Sequence, residues 1–462
     1  MTKHLHLLII AALLPLPLLA QPTRCDKVLT AAHVLTMNDS LQVFSPGAVA
    51  ISGNKILAVG APKDVLSIYA GRQVRDFGQT ILMPGLINTH CHLPMILLRG
   101  MADDMELMDW LHGYIFPLEA KLVNAQFCYD ATLVACAELI RRGVTGVADM
   151  YYFEDDVARA VKEAGMRGWL GETLIDFPSP DSNTPAECLA YTEKCIQKWS
   201  NDPLVRVGPA PHSTYTVSPD NLKACKALAD KYKTLLITHL SESATEVETV
   251  RKQSGQTPTE LAASVGLLGP TTIAAHCVVM TPHDMELLKA SGAAVAHNPD
   301  SNIKLCCGLA PIAQMRKQGL RVGLGTDGPV SNNRLDLFDA MDLVAKEQKL
   351  CENDPTAMKA AEVVRMATLG GAEVLGAADR LGSLEPGKQA DLIVVDLQGA
   401  NYGPVYDPYS HLVYTAHGEM VRSTMVAGKW LMLDGKLLTL SDKRLRDIVR
   451  HYEPLAKAAV SH

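Results

Sequence analysis

An apolar run that ends in two histidines constrains this chain more than any other feature: Pro84-Gly85-Leu86-Ile87-Asn88-Thr89-His90-Cys91-His92. Strand side chains alternate with period 2, so His90 and His92 can point the same way. Neutral imidazole is the commonest protein ligand for a catalytic transition metal. A His-x-His pair carries little alone, but the rest of the chain supports it. His239, His276 and Asp327 each stand at or just past the end of another apolar segment, in the order a barrel metalloenzyme would use.

Between about 84 and 380, short apolar runs alternate with helical patterns. The runs include Gly146 to Met150, Val205 to Pro209, Leu235 to His239, Thr272 to His276, Ala293 to His297 and Val322 to Asp327. Amphipathic helices are expected between them, at Pro219 to Tyr232 and Asp284 to Ser291. Repeated β–α units in this number predict the α/β class, with a parallel sheet closed into a (β/α)8 TIM-type barrel. In such barrels chemistry gathers at the C-terminal ends of the strands, where every polar residue of interest here falls.

Both flanks are different. Residues 26–83 hold short β-type runs, Lys27 to Thr30, Ala48 to Ile51 and Lys55 to Val59, punctuated by Asn54 and glycines. The far end repeats the pattern in Ala390 to Asp396 and Ser423 to Trp430, with turns at Gly387 and Asp434-Gly435. Two β-rich ends around a long middle predict one small discontinuous β-sandwich domain, 21–83 with 381–440. A helical tail at 441–462 is expected to serve packing.

The first 20 residues read as a secretory signal. Lys3 leads an apolar stretch from Leu7 to Ala20 that is too short and too broken by Pro15 and Pro17 to span a bilayer, and Ala20 before Gln21 suits cleavage. Export, to the periplasm, is therefore expected, with no membrane attachment once the signal is removed. Cys25 lacks the small preceding residues of a lipid-acceptor cysteine. Eleven cysteines are an odd number, and Cys91, Cys128, Cys136, Cys225 and Cys277 lie in apolar segments as core residues do. Adjacent Cys306 and Cys307 are poorly placed to pair with each other, and no CxxC suggests a thiolate zinc site. A net charge of −7 without a basic stripe gives no attraction to nucleic acid.

Three imidazoles and a carboxylate, His90, His92, His239 and Asp327, suit one divalent ion, Zn2+ or Fe2+, with a position left for water. Such an ion lowers the pKa of its water toward about 7, so hydroxide is available at neutral pH. Glu242, three residues past His239, can move a proton beside the metal without binding it. The bland alternative is a helix-entry glutamate in an acidic stretch with Glu246 and Glu248. His276 is a candidate to orient the hydroxide or polarise the bond under attack; His297, before Asn298-Pro299, is left outside the set.

With these residues in view, the chain resembles the amidohydrolase superfamily, in the group of S-adenosylhomocysteine/5′-methylthioadenosine deaminases and chlorohydrolases. Pro84 to His92, Leu97-Leu98-Arg99-Gly100, His239-Leu240-Ser241-Glu242, Ala275 to Val278, His297-Asn298-Pro299, Ser301 to Leu305 and Gly325-Thr326-Asp327-Gly328 carry the resemblance. Gly382 to Leu392 matches the returning strand of the family's sandwich, and the likeness runs from about residue 26 to 440. It implies that His90, His92, His239 and Asp327 hold the metal. Glu242 would shuttle the proton to a ring nitrogen, while His276 and Asp327 orient the hydroxide for attack on an amine-bearing aromatic carbon. It also implies a substrate site: Glu119 gripping ribose hydroxyls, His212 on the purine, Trp110 walling the pocket and Arg167 near an amino-acid tail. The family's second tail-binding arginine has no counterpart, since Phe177 to Leu189 contains neither Arg nor Lys. An exported location also departs from enzymes that are usually cytoplasmic.

The leading expectation is a zinc aminohydrolase acting on a small molecule, a 6-aminopurine nucleoside such as 5′-methylthioadenosine, adenosine or S-adenosylhomocysteine. The alternatives are hydrolysis of another amino- or chloro-substituted heterocycle, a triazine or pterin, or a non-catalytic exported binding protein. A ribose grip at Glu119 would be useless to a triazine, and a proton shuttle at Glu242 useless to a binding protein. Whether the chain forms a homo-oligomer is left open.

Overall fold

The computed structural model describes residues 21–399 and 402–460, so the expected signal segment, 1–20, lies outside the described residues. Eight parallel strands form the centre: β1 (Leu86–Cys91), β2 (Val144–Tyr151), β3 (Arg167–Leu174), β4 (Val205–Pro211), β5 (Leu236–Leu240), β6 (Thr272–His276), β7 (Ala294–His297) and β8 (Arg321–Leu324). Nearly all their residues are buried, as expected of strands with helices outside and a packed interior. They pair as two halves, β1 to β4 and β5 to β8.

Short parallel bridges join the halves on both sides, Cys91 with Asp327 and Ser213 with His239. At these seams the Asp327 amide donates to the His90 carbonyl at 3.0 Å, and the His239 amide to the His212 carbonyl at 3.0 Å. His90, His239 and Asp327 thus stand where the two halves meet, in a TIM-type barrel. Gly325 shows how tight one seam is. A Cβ there would lie 2.3 Å from Asn298 Oδ1 and 3.0 Å from the His90 nitrogen, so a side chain would push the Asp327 turn away from β1.

The flanks combine as the sequence predicts. Leu392–Asp396 lies between Thr80–Pro84 and Val421–Val426 in a seven-stranded sheet. Its register, Leu392 opposite Pro84 through Asp396 opposite Thr80, joins chain segments about 300 residues apart. A second, four-stranded sheet of Thr23–Ala31, Gly47–Ser52, Lys55–Gly60 and Tyr69–Asp76 completes the domain. Leu29, Val49, Ile51, Leu82, Leu392 and Met425 pack in its core.

Three details differ from expectation. Ser423 to Trp430 is not one strand: Ala427 and Gly428 have φ of 48° and 75° and fold it into a hairpin. The segment 381–440 is not all sheet, because Pro408–Tyr414 is a helix packed on Leu337–Glu352 and Ala360–Arg365. The helix expected from Asp284 starts at Pro282, where Thr281 caps it and proline suits the first turn. Pro219–Tyr232 has the expected bounds. Cys25 is buried inside its strand, and Cys91, Cys128, Cys136, Cys225 and Cys277 are also buried. The tail forms the helix Asp442–Val460, which packs Tyr452 edge-on against Phe127 with ring centroids 5.2 Å apart. Among the described residues no helix is long and apolar enough to cross a membrane.

Candidate metal centre and adjoining pocket

The strand periods put five side chains around one point. His90 and His92 share a face of β1 and its extension, with ring centroids 4.9 Å apart. His239 near the end of β5 lies 5.0 Å from the His90 ring and 5.3 Å from that of His92; His276, closing β6, is 5.4 Å from His239. Asp327 follows β8 and turns its Oδ1 to within 3.3 Å of His90 Nε2 and 3.1 Å of His92 Nε2. His90, His239, His276 and Asp327 each offer a donor atom within 4.8 Å of the others. His92 Nε2 stands 3.4 Å from His239 Nε2, against the same group.

Surrounding hydrogen bonds aim the free atoms inward. His92 Nδ1 meets the Met150 carbonyl at 2.5 Å and His239 Nδ1 the His212 carbonyl at 3.0 Å. A ring nitrogen facing a carbonyl must be the N–H, which leaves each Nε2 as a lone pair directed at the centre. His276 Nδ1 is fixed in the same way by Asn302 Oδ1 at 2.8 Å. Asp327 Oδ2 accepts from Ser301 Oγ at 2.6 Å and Ser331 Oγ at 2.8 Å, so only Oδ1 is left over. Both His90 nitrogens and Asp327 Oδ1 are buried with no hydrogen-bond partner.

Buried polar atoms without partners carry a cost, which a cation meeting the acceptors among them relieves. The proton affinities tell the same story. Burial drives His90 down to about 4 and His239 well below its usual value. Burial also opposes a charge on His92, yet the Asp327 carboxylate outweighs it and lifts His92 to about 9. The centre draws in a positive charge, and a divalent ion with nitrogen and oxygen ligands fits the residues present.

Backbone strain gathers here too. Ser241, His276, Cys277 and Asp327 have φ of 51°, 74°, 49° and 58°. This left-handed region is uncommon for non-glycine residues and is held only where surrounding contacts over-determine it.

Beside the centre opens a pocket lined by both apolar and polar side chains. Glu242 lines it, with Oε1 3.9 Å from His276 Nδ1, and burial raises its pKa. Glu119, Trp110 and His212 line it as well. Glu119 is almost fully buried and accepts from the Tyr151 hydroxyl at 2.7 Å. The Trp110 indole N–H is buried without a partner. Burial first, then neighbouring His92, pushes His212 down to about 3, so its ring is neutral.

Arg167 is a correction. It begins β3, at the end of the barrel opposite the pocket, whereas Thr173 near the end of the same strand lines the cavity. Six residues of strand at roughly 3.3 Å each separate the two by ~20 Å. The guanidinium pairs bidentately with Asp391, Nε to Oδ2 at 2.6 Å and Nη2 to Oδ1 at 3.0 Å, and clamps barrel to sandwich. Both residues are buried, so removing one leaves an uncompensated charge worth about 3–5 kcal/mol. Arg167→Ala is accordingly expected to shift the denaturant midpoint strongly downward, while KM of the protein that remains folded is unchanged.

Some residues of the site carried no sequence signal. Tyr151, which holds Glu119, and the apolar wall of Met95, Leu107 and Leu111 come together only in three dimensions. His297 is turned outward to Glu347 at 2.6 Å and stands outside the centre.

Comparison with known proteins bears on the same region. The model of the amidohydrolase family matches residues 81–431. A 5-methylthioadenosine/S-adenosylhomocysteine deaminase of Syntrophobacter fumaroxidans is 46% identical over 429 residues, 93% of this chain and 98% of its own. One from Nitratidesulfovibrio vulgaris is 43% identical over 89% of this chain and 93% of its own. An adenosine deaminase from Xanthomonas campestris, solved with bound zinc, superimposes with a TM-score of 0.92 at 36% identity, covering 95% of this chain and all of that one. An atrazine chlorohydrolase from Arthrobacter aurescens, TM-score 0.86 at 24% identity over 93% of this chain and 100% of its own, shares the fold.

Proposed function

The chain belongs to the amidohydrolase family, and on that premise we propose that its pocket deaminates a 6-aminopurine nucleoside. One observation carries the reading. A single cavity holds Glu242 beside the cluster of histidines and, on another wall, a buried carboxylate at Glu119 fixed by Tyr151. A proton shuttle and an acceptor for paired hydroxyls in one pocket suit a nucleoside. The relatives named as deaminases of such compounds support it.

His90, His92, His239 and Asp327 would hold one divalent ion, Zn2+ as in the Xanthomonas relative, with His276 completing the ring around it. A divalent ion there would supply Lewis acidity to a water molecule, bringing its pKa toward about 7. Deamination replaces the C6 amino group by oxygen: water adds its oxygen to C6, the C–N bond breaks and ammonia leaves. Glu242 takes one proton from the water and delivers it to the ring nitrogen beside C6; the second goes to the departing amine. His276, whose Nδ1–H is anchored by Asn302, presents Nε2 as an acceptor and would take a hydrogen bond from the attacking water, orienting it toward C6. Trp110 and His212 would bound the base, and Glu119 would accept from the ribose hydroxyls.

The test is ammonia release by the zinc-loaded protein with adenosine, 5′-methylthioadenosine, S-adenosylhomocysteine, melamine and a chlorotriazine. The nucleosides should turn over and the triazines should not; silence on every nucleoside sinks the reading. Among the described residues lining the pocket none is lysine or arginine. The carboxylate of S-adenosylhomocysteine would find no ion pair there, so its kcat/KM should fall about tenfold or more below that of 5′-methylthioadenosine, the equivalent of one unpaid contact of ~1.4 kcal/mol. For location, we propose export with cleavage after Ala20. N-terminal sequencing of protein from the periplasmic fraction should begin at Gln21, and intact Met1 in the cytoplasm would refute it.

A further inference from the structure

The turn that carries Glu242 is held by the side chain of Glu246. After His239 the chain leaves β5 through Ser241, whose φ of 51° costs a non-glycine residue energy. The turn leaves the amides of Ser241 and Glu242 facing away from any strand partner. Both are met by one side chain. Glu246 Oε1 accepts from the Ser241 N–H at 3.1 Å and Oε2 from the Glu242 N–H at 2.6 Å. The other side of the turn is fixed as well, because the Ser241 carbonyl accepts from Val278 and Val279 at 3.0 and 2.9 Å, next to His276.

The ordinary explanation for such a glutamate is a helix cap, and the geometry argues against it. Glu246 is the third residue of the helix Ala244–Ser254, whose Ser243 cap accepts from the Glu246 amide. In a capping box the side chain at this position reaches back to the amide of the cap residue itself. Among the described residues three helices do that: Glu260 accepts from the Thr257 amide at 2.7 Å, Asp284 from the Thr281 amide at 2.8 Å and Glu362 from the Lys359 amide at 2.8 Å. Glu246 instead passes Ser243 by and binds the two residues before it. Glu246 as a whole is 4% exposed, and among the described residues no lysine or arginine pairs with it. Burying a carboxylate without a cation is expensive, and two backbone N–H donors only partly offset it. A glutamine could cap the helix as well; it could not accept from one amide through each of its two terminal atoms, as Glu246 does, because one of them is a donor.

We propose that Glu246 is a positioning residue for proton transfer: its two oxygens lock the Ser241–Glu242 backbone in the turn that aims the Glu242 side chain into the pocket. It touches neither substrate nor reacting atoms and acts only through Glu242. The proposal rests on the reading of Glu242 as the proton shuttle. Misplacing a reacting group by about an ångström costs on the order of 100-fold, so the effect should fall on kcat.

The experiment compares Glu246→Gln, Glu246→Asp, Ser243→Ala and Glu242→Gln in the zinc-loaded protein, with kcat, KM, zinc content and thermal midpoint for each. Glu246→Asp keeps the charge and the helix start but is one methylene short of both amides, so it tests the proposal even where Glu246→Gln fails to fold. Both Glu246 variants should lose about 10- to 100-fold in kcat with KM within about threefold and zinc retained. Ser243→Ala, which weakens the same helix start, should lower the midpoint and leave kcat near wild type. Adding Glu246→Gln to Glu242→Gln should change the residual rate no further, since nothing remains to be aimed. Wild-type kcat in both Glu246 variants overturns the proposal, as does a loss matched by Ser243→Ala or by falling zinc content. Full activity in Glu242→Gln would instead overturn the shuttle assignment beneath it.

Discussion

Glu242→Gln is expected to lower kcat for nucleoside deamination by about 1,000-fold or more while zinc content stays at the wild-type level. The substitution keeps size and shape and removes one property, the ability to accept and return a proton. Glu242 is well placed for that role: it lines the cavity, only 12% of its side chain is exposed, and it lies 3.9 Å from His276. Burial raises its pKa, which moves it toward the value a group needs to take a proton and give it up again near neutrality. It stands outside the four residues whose donor atoms converge, so the metal site should survive the change. Chelation of the wild-type protein gives the complementary outcome, activity lost with Glu242 intact and regained on adding zinc. If Glu242→Gln kept substantial turnover, the proton would have to travel by another group, and His276, which lines the pocket 3.9 Å from Glu242, would be the first to test.

How much of this was legible beforehand depended on whether the governing interaction is local. Alternation along a strand is local, and it delivered the His90–His92 pair and the strand-end positions of His239, His276 and Asp327. The pairing of the two flanks was legible for a related reason: Leu392 to Val395 is apolar at every position, as a strand covered on both faces must be, and its neighbours come from opposite ends of the chain. Phase was not legible. His297 ends a strand just as His276 does, yet it faces Glu347 on the outside, while the next residue, Asn298, turns its side chain to His276 at 3.5 Å. Nor was the sense of position along a strand. Arg167 was placed by resemblance at the substrate, but it opens β3 instead of closing it, and the strand's own length carries it out of reach. The supporting side chains were invisible for a third reason. Tyr151, Asn302 and Glu246 act through single hydrogen bonds to residues that only folding brings near, or, for Glu246, through a turn whose left-handed φ no residue type at 241 announces.

Glu119→Gln should reduce kcat/KM for adenosine by about 100- to 1,000-fold and remove the enzyme's preference for adenosine over 2′,3′-dideoxyadenosine. The carboxylate already accepts one hydrogen bond, from Tyr151, and keeps lone pairs for two more, which matches the vicinal hydroxyls of a ribose. A site built to hydrogen-bond hydroxyls rejects the analogue lacking them strongly, because its buried acceptor is then left unpaired. Glutamine can still accept from Tyr151 through its oxygen, so the wall of the pocket should hold and the loss should report the ribose contacts alone. The acidity of the group adds a pH signature. Burial lifts Glu119 to about 7 against the pull of Tyr151 and His92, so below that pH it is largely protonated and has fewer lone pairs to offer. KM for adenosine should therefore fall as pH rises through about 7, and the trend should vanish in Glu119→Gln and for the dideoxy substrate. A wild-type enzyme that handles the dideoxy compound as well as adenosine would show that Glu119 does not read the sugar. The choice of substrate would then have to lie with the base contacts of Trp110 and His212.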